Sequence, residues 1–333
     1  MTSARLVFHL GDFKTGTTAL QHWLADQVDI TTPPGLNHAS FTRHLSDPAH
    51  VAAHFGALAE RLQRGRDAVV SSEHFEFSDP ALLAHAIATH LPSRAHDLRL
   101  IAYVRPHGDG LLARFGESSK IGNFQGDLPA YLNWPQTALR LGYHARFMRW
   151  RAAFGDRFSL RHYDRDDFPD GSIVQDFAAQ MLDRNTRVVA VTANPSLGLR
   201  GLTLARAFHA AMGPPTTRTN GARWAVGRHL GRLLARDTRP DMPLLPDAAL
   251  ANAITARFED DAAALDQDFM TDTPMTDALA QLQDTALGAP QSLNPADYHS
   301  PDTLRMVTLF GQMVAHGLRG ENATNALEQV FAD

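Results

Sequence analysis

The first 21 residues contain an apolar run, a glycine-containing loop and the start of a helix, in that order. The run Leu6–Leu10 is short and ends at Gly11, which is typical of a strand buried inside a parallel sheet. After the second glycine of the loop, Gly16, helix-forming residues resume at Thr17. In such a strand–loop–helix unit, backbone N–H groups and the positive end of the helix dipole face the loop. The sequence therefore predicts an anion-binding loop between the first strand and the first helix.

The side chains of this loop add a positive charge and hydroxyl donors, and their order excludes a Walker A motif. Lys14 supplies the charge, and the hydroxyl donors are Thr15, Thr17 and Thr18. A Walker A loop ends in Gly-Lys-Ser/Thr. Here the lysine precedes the glycine, because the order from residue 14 onward is Lys-Thr-Gly-Thr-Thr. A phosphate-binding loop of some other class of nucleotide-binding protein is the alternative interpretation.

The stretch His9–Gln21 reads His-Leu-Gly-x-x-Lys-Thr-Gly-Thr-Thr-x-Leu-Gln, and it resembles the 5′-phosphosulfate loop of the PAPS-dependent sulfotransferases, particularly their bacterial branch. PAPS is 3′-phosphoadenosine 5′-phosphosulfate, and PAP is the product that remains after the sulfuryl group has left. The resemblance implies PAPS as the co-substrate and transfer without a metal ion. It also implies that Lys14 stabilises the leaving oxygen while the four residues after it hold the 5′-phosphate. Those four residues are Thr15, Gly16, Thr17 and Thr18.

Short apolar runs that end in polar residues recur along the chain and alternate with helical patterns. After the first strand, these runs cover residues 67–72, 98–104, 157–163 and 187–191. The alternation predicts an α/β protein with a doubly wound, mostly parallel sheet flanked by helices. The resemblance implies the P-loop NTPase-like fold of the sulfotransferases. In open sheets of this class, ligands bind at the carboxyl ends of the strands.

The C-terminal part of the chain has a different pattern. We expect a sulfotransferase-like domain over residues 1–270 and a helical C-terminal extension over residues 271–333. Residues 271–296 are rich in Thr, Pro, Asp and Gln, which favours a loose segment without regular structure. Helices are predicted beyond it, over residues 301–318 and 321–331.

Composition and charge exclude several classes of function. The chain has 31 basic and 36 acidic residues, a net charge of −5, so we expect no nucleic-acid partner. It has no cysteine, which excludes disulfides, thiol nucleophiles and cysteine-based zinc sites. We see no apolar stretch that fits a signal peptide or a membrane span, and therefore expect a cytoplasmic protein. Lys14 and Lys120 are the only lysines, which indicates that these positions need a compact ammonium group.

The second predicted strand, residues 67–72, ends next to two candidate proton acceptors, Glu73 and His74. The resemblance implies that Glu73 is the base that takes a proton from the acceptor. A carboxylate in a desolvated pocket would have a raised pKa and could accept a proton near neutrality. His74 competes for this role, because imidazole titrates near pH 7 without any tuning. In the alternative interpretation, both residues only cap the following helix.

The third predicted strand, residues 98–104, runs directly into Arg105. In the family that the chain resembles, an arginine at this point and a serine eight residues later bind the 3′-phosphate of PAPS. Arg105 matches the arginine, but Ala113 occupies the position of the serine. Arg114 and Ser118 are the nearby candidates for a replacement. This departure leaves room for a weaker donor affinity or for another donor nucleotide.

Three functions are compatible with these motifs. The first is in-line transfer of a sulfuryl group from PAPS to an acceptor hydroxyl or amine, with a small molecule, a lipid or a glycan as acceptor. In that reaction Lys120 is a further candidate for contact with the sulfuryl oxygens or the acceptor. The second is a small-molecule kinase, which would need Mg²⁺ at the acidic residues 164–167. The third is a nucleotide-binding module without catalysis, and Ala113 is the residue that favours it.

Overall fold

The computed structural model describes residues 4–186, 196–214 and 220–318. The chain divides into two compact units, each built from three segments. The first unit contains residues 1–107, 142–193 and 258–278. The second unit contains residues 108–141, 194–257 and 279–333. The domain boundary after residue 270 stays a prediction.

The first unit is organised around one sheet of four parallel strands. The strands are β1 (Leu6–Leu10), β2 (Ala68–Ser72), β3 (Leu98–Val104) and β4 (Phe158–His162), in the spatial order β2-β1-β3-β4. Leu6 of β1 is in register with Ala68 on one side and Leu98 on the other. The chain therefore extends the sheet in both directions from β1. The predicted α/β class and doubly wound parallel sheet are confirmed.

The described residues contain helices between the strands and after the last strand. The α-helices are α1 (Thr17–Ala25), α2 (Pro48–Arg61), α3 (Pro80–His90), α4 (His107–Lys120), α5 (Leu128–Leu132), α6 (Pro135–Leu141), α7 (Tyr143–Phe154), α8 (Ile173–Leu182), α9 (Leu199–Ala211), α10 (Asn220–Leu234), α11 (Ala248–Phe269), α12 (Pro274–Asp284) and α13 (Pro301–Gly317). The 3₁₀ helices are Ala39–Phe41, Glu73–Phe77, Pro92–Asp97, Gly155–Arg157, Pro169–Gly171 and Pro295–Asp297. The predicted strand at 187–191 and the predicted helix at 321–331 lie outside the described residues.

Both faces of the sheet are covered by apolar side chains, which explains why the strands read as continuous apolar runs. On one face, Val7 belongs to a buried cluster with Leu20 of α1 and Phe177 of α8. On the other face, the ring of Phe8 lies 5.9 Å from the ring of Phe75 in an edge-to-face arrangement. Phe75 in turn contacts Trp150 of α7, at 6.2 Å between ring centroids. These contacts fix the carboxyl ends of the strands, where the predicted site residues lie.

The described part of the second unit is mainly helical. In it, α9 and α13 pack against each other around the buried ring of Phe208. Gly311 allows the close approach of the two helices, because a Cβ atom at this position would lie 2.7 Å from the carbonyl oxygen of Phe208. The predicted helix at 301–318 corresponds to α13, and the helical character of this region is confirmed.

The expectation of a loose segment over residues 271–296 is wrong in part, because α12 occupies residues 274–284. The signal for it was present in the sequence as Met275, Leu279 and Leu282, which recur with helical spacing and are all buried. Pro274 at the first helical position also fits a helix start. The polar composition of the flanking residues obscured this short pattern. Among the described helices, none combines the length and the apolar character needed to cross a bilayer.

Candidate functional site

The loop between β1 and α1 has a backbone that few sequences can adopt. The backbone N–H of Gly11 donates to the carbonyl oxygen of Ser72 at 3.0 Å, so the loop leaves the sheet beside the end of β2. Lys14 and Gly16 both have left-handed conformations, with φ values of 69° and 77°. Glycine adopts this conformation at no steric cost, whereas for lysine it is strained. A Cβ atom at Gly16 would in addition lie 3.0 Å from Cγ2 of Ile173.

Two threonine hydroxyls stabilise this loop from within. Oγ1 of Thr15 donates to the carbonyl oxygen of Asp12 at 2.8 Å, and Oγ1 of Thr17 reaches the same oxygen at 3.5 Å. Both threonines are buried, whereas Thr18 is partly exposed. In this conformation the hydroxyls of Thr15 and Thr17 hold the loop in shape.

The N-terminus of α1 opens directly onto this loop. Gly16 is the N-cap residue, so no side chain at the cap accepts a hydrogen bond from the first N–H groups of the helix. The first turn also contains no acidic residue. The positive end of the helix dipole is therefore not compensated by a carboxylate of its own helix, which favours an anion at this position.

Asp12 of the loop belongs to a buried ion cluster with Glu76 and Arg146. This cluster was not predicted from the sequence. Oδ2 of Asp12 accepts from Nη2 of Arg146 at 3.0 Å, and Oε1 of Glu76 accepts from Nη1 of the same arginine at 2.7 Å. The side chains of Asp12, Glu76 and Arg146 are only 4%, 2% and 12% exposed. Oδ1 of Asp12 also accepts from the backbone N–H of Phe13 at 2.8 Å. Arg146 thus connects α7 with the loop and with the 3₁₀ helix Glu73–Phe77.

A polar group also lies beneath the loop, on the face of the sheet that α1 and α8 cover. His9 is completely buried, and its Nδ1 atom lies 2.8 Å from Oγ of Ser71. Burial lowers the pKa of the His9 imidazole to about 3, so this ring is neutral at physiological pH. Gln21 of α1 donates from Nε2 to the carbonyl oxygen of Ser71 at 3.3 Å. These contacts fix the end of β1, the end of β2 and α1 to one another.

Arg105 lies against the loop. Its Nε atom donates to the carbonyl oxygen of Lys14, and its guanidinium carbon lies 4.4 Å from the centre of the Tyr163 ring. Within the described part of the chain, Arg105 forms no ion pair, and its two terminal nitrogens have no hydrogen-bond acceptor. An arginine held by one nitrogen and stacked on an aromatic ring presents its remaining donors in a fixed plane.

Glu73 and His74 begin the 3₁₀ helix that follows β2. The backbone of Glu73 packs closely against the loop, because a Cβ atom at Gly11 would lie 3.1 Å from the Cα atom of Glu73. Ser72 caps the 3₁₀ helix by accepting from the N–H of His74, and Asp79 caps α3. Both Glu73 and His74 are partly buried beside the loop.

His74 lies between an aromatic ring and a cation. Its ring packs edge-on against Phe13 at 6.5 Å, and its Nε2 atom lies 3.4 Å from Nη2 of Arg43. Burial, and secondarily the charge of Arg43, lower the pKa of the His74 imidazole below its ordinary value. The ring is therefore neutral at physiological pH and retains a nitrogen lone pair that can accept a proton.

Comparison with known proteins gives one distant match that we report here. A crystal structure of a sulfotransferase from Alicyclobacillus acidocaldarius is similar to this chain, with 15% sequence identity and a TM-score of 0.42. The similar region covers 80% of this chain and 96% of that chain. No protein-family model and no curated protein matches the chain.

The remaining predicted residues lie on α4 in the second unit. Ala113 and Arg114 are in the middle of this helix. Oγ of Ser118 lies 3.1 Å from the hydroxyl oxygen of Tyr131. The ammonium of Lys120 pairs with Glu117 one turn earlier, at 2.5 Å. Within the second unit, these contacts account for the polar groups of Ser118 and Lys120.

The acidic loop after β4 brings together three groups that could bind a metal ion. His162, Asp164 and Asp167 offer ligand atoms within 4.8 Å of one another, and no other set of three does so among the described residues. Nδ1 of His162 lies 3.4 Å from Oδ2 of Asp167, and the side chain of Asp167 is 65% exposed. Exposed acidic groups of this kind are common without a metal, so this cluster alone does not favour the kinase alternative.

Proposed function

We propose that this chain is a sulfotransferase that moves a sulfuryl group from PAPS to an acceptor hydroxyl or amine. The observation that best supports the proposal is the hydrogen bond from Arg105 to the carbonyl oxygen of Lys14, which joins two motifs that are 91 residues apart. Three groups therefore meet at this loop: the side chain of Lys14, the N-terminus of α1 without a side-chain cap, and Arg105, whose two terminal nitrogens remain available. This set suits a nucleotide that carries phosphate groups at two positions.

Each group in the proposed site has a specific role toward PAPS. The backbone N–H groups of residues 15–18, at the start of α1, hold the 5′-phosphate. The ammonium of Lys14 neutralises the negative charge that develops on the leaving oxygen of PAP. The terminal nitrogens of Arg105 bind the 3′-phosphate, which distinguishes PAPS from ATP-like nucleotides. The ring of Tyr163 keeps the guanidinium in the plane that this contact requires.

The proposed chemistry balances without a further reactant. The acceptor oxygen or nitrogen forms a bond to sulfur while the bond from sulfur to the bridging oxygen breaks, and PAP departs with the electron pair. Glu73 takes the proton of the acceptor, and His74 is the alternative base because its lowered pKa keeps it neutral. Transfer by positioning and charge stabilisation needs no metal ion, as in the proposed roles of Lys14 and Arg105.

The competing functions differ in their requirement for a metal and for turnover. A kinase would bind ATP with Mg²⁺, and residues 164–167 would have to supply the carboxylates. The order Lys-Thr-Gly-Thr-Thr argues against it, because a Walker A loop places the lysine after the glycine. A binding module would hold PAP without transferring a sulfuryl group. Cytoplasmic localisation stays a prediction from the sequence.

Calorimetric titration with PAP, 5′-AMP and ATP, once with a chelator and once with Mg²⁺, tests the donor. We expect PAP to bind more tightly than 5′-AMP and to do so without a metal. Incubation with radiolabelled PAPS and pooled acceptors then tests transfer. ATP binding that requires Mg²⁺, together with no PAP binding, would replace this proposal with the kinase. PAP binding with no transfer and no PAPS hydrolysis would leave the binding module.

A further inference from the structure

Three aromatic rings form a partly exposed surface next to the loop. The ring of Phe13 lies 6.5 Å from His74 and 6.3 Å from Phe77. Phe13 directly precedes Lys14, and the other two rings lie on the 3₁₀ helix that begins with Glu73. Phe77 is 54% exposed, so part of this aromatic surface is open to solvent. An aromatic surface thus adjoins both the proposed leaving-group residue and the proposed base.

An arginine marks one edge of this surface. Nη2 of Arg43 lies 3.4 Å from Nε2 of His74, and the side chain of Arg43 is exposed. Within the described residues, Arg43 has no carboxylate partner. Its neighbour His74 is neutral at physiological pH, because burial and the charge of Arg43 both lower the pKa of the ring. The surface therefore combines partly exposed rings with one positive charge that no acidic side chain of the described residues balances.

We propose that this aromatic–arginine surface, formed by Phe13, Arg43, His74 and Phe77, binds the acceptor, and that the acceptor is an aromatic hydroxy acid. A flat ring would pack against the exposed rings, which favour edge-to-face and offset contacts with another aromatic group. A carboxylate on that ring would pair with the guanidinium of Arg43. The inference rests on the proposed function and selects one acceptor class among small molecules, lipids and glycans.

The reaction on such an acceptor follows from the neighbours of the surface. The hydroxyl oxygen of the aromatic acid forms the bond to sulfur, and the bond between sulfur and the bridging oxygen of PAPS breaks. The electron pair leaves with PAP beside Lys14, and the proton of the hydroxyl goes to Glu73. An acceptor held by the rings of Phe13 and Phe77 lies next to both groups, since Phe13 precedes Lys14 in the chain and Phe77 shares the 3₁₀ helix with Glu73.

Four acceptors separate the contributions of the ring and of the charge. They are para-(hydroxymethyl)benzoate, its carboxamide, and the two corresponding cyclohexane compounds, in which the reacting group is a primary alcohol throughout. We expect the highest kcat/KM for the aromatic carboxylate. Loss of the carboxylate should lower kcat/KM by about ten-fold or more, as for a lost charge-assisted hydrogen bond. Saturation of the ring should lower it by about two- to ten-fold.

Two variants assign these preferences to residues. Arg43→Gln should abolish the preference for carboxylate over carboxamide and keep the preference for the aromatic ring. Phe77→Leu should reduce the ring preference and keep the carboxylate preference. Arg64→Gln and Phe310→Leu are the controls, because Arg64 is another exposed arginine of the first unit and Phe310 is 53% exposed. All four variants should bind PAP as the unmodified chain does.

PAP binding separates failure of this inference from failure of the proposed function. If the unmodified chain does not bind PAP, the sulfotransferase proposal itself is wrong. If PAP binds and a lipid, a glycan or no acceptor at all is sulfated, the aromatic hydroxy acid is the wrong class. If aromatic acids are accepted but Arg43→Gln and Phe77→Leu keep both preferences, the acceptor binds elsewhere and the assigned surface is wrong.

Discussion

The Nε atom of Arg105 donates a hydrogen bond to the backbone carbonyl oxygen of Lys14. This contact joins the end of β3 to the loop after β1. Because it holds the carbonyl group of Lys14, it helps to stabilise the strained left-handed conformation of that residue. It also uses only one of the three guanidinium nitrogens of Arg105. A single residue can therefore hold the loop in shape and offer donors to a second phosphate.

Replacement of Arg105 should weaken the binding of PAP more than that of 5′-AMP. Arg105→Ala should weaken PAP binding by about 1.5–3 kcal/mol, the value of a hydrogen bond to a charged group, and should affect 5′-AMP much less. Calorimetric titration of both nucleotides measures the difference. An equal loss for the two nucleotides would mean that Arg105 acts only on the loop. If the unmodified chain binds PAP no more tightly than 5′-AMP, PAPS is the wrong donor. The alanine at position 113, in place of the serine that would bind the 3′-phosphate, would then explain the result.

Replacement of Lys14 should affect turnover more than binding. Lys14→Ala should nearly abolish sulfuryl transfer, because the ammonium acts on charge that develops only in the transition state. PAP affinity should fall less, since the backbone N–H groups at the start of α1 remain. Lys14→Arg should also be poor, because the planar guanidinium is bulkier than an ammonium. Single-turnover kinetics and PAP titration measure the two effects, and a Lys14→Ala variant with unchanged kcat would remove the loop lysine from the mechanism.

Glu73 and His74 differ in what they contribute to the pH dependence of transfer. Glu73→Gln keeps size and hydrogen bonding but removes the proton acceptor, so kcat should fall by about 10²–10⁴-fold and the acidic limb of the pH–rate profile should vanish. His74→Asn should be milder and should retain that limb. PAP affinity should hardly change in either variant. The opposite pattern, with the limb lost only in His74→Asn, would assign the base to the histidine.

Arg146 should be essential for stability. Arg146→Met leaves the carboxylates of Asp12 and Glu76 buried without their common cation, so the free energy of unfolding should fall by about 3–5 kcal/mol. Arg149→Met is the matched control on the same helix, because its pair with Asp79 at 3.6 Å is exposed and should contribute less than about 1 kcal/mol. Urea denaturation of both variants measures the contrast. Similar losses for the two would contradict a structural role for the buried cluster.

Two buried histidines should make the protein sensitive to acid. Burial lowers the pKa of His9 to about 3 and that of His209 to about 4, whereas both titrate near 6.5 in the unfolded chain. Below pH 6.5 the unfolded chain therefore binds protons that the native state does not. Each histidine should lower the free energy of unfolding by about 1.4 kcal/mol per pH unit as the pH falls toward its native pKa.

Urea denaturation at pH 7 and pH 5 tests this linkage. His9→Gln can keep a hydrogen bond to Ser71, and it should make the stability of the first unit less dependent on pH between these values. His209→Gln should do the same for the second unit. An unchanged pH dependence in His9→Gln would show that His9 is not the source of the acid sensitivity.

The sequence alone determined the elements whose signals are local. The apolar run of β1, the glycines that follow it and the helix formers of α1 lie within 20 consecutive residues, and each was predicted because adjacent residues decide it. The parallel sheet followed from the alternation of apolar runs and helices. The approach of Glu73 and Arg105 to the loop was also expected, since parallel strands bring their carboxyl ends to one edge of the sheet.

Only the tertiary structure decided which groups meet across long separations in the sequence. Arg146 is 134 residues from Asp12 and 70 residues from Glu76, and no periodicity connects them. From the sequence, the hydroxyls of Thr15 and Thr17 are typical phosphate donors. In the structure the loop has a left-handed backbone at Lys14 and Gly16, and both hydroxyls contact the carbonyl oxygen of Asp12. These contacts follow from burial, because a charged group or a hydroxyl that is removed from water needs a hydrogen-bond partner inside the protein. Which group becomes that partner depends on the tertiary structure.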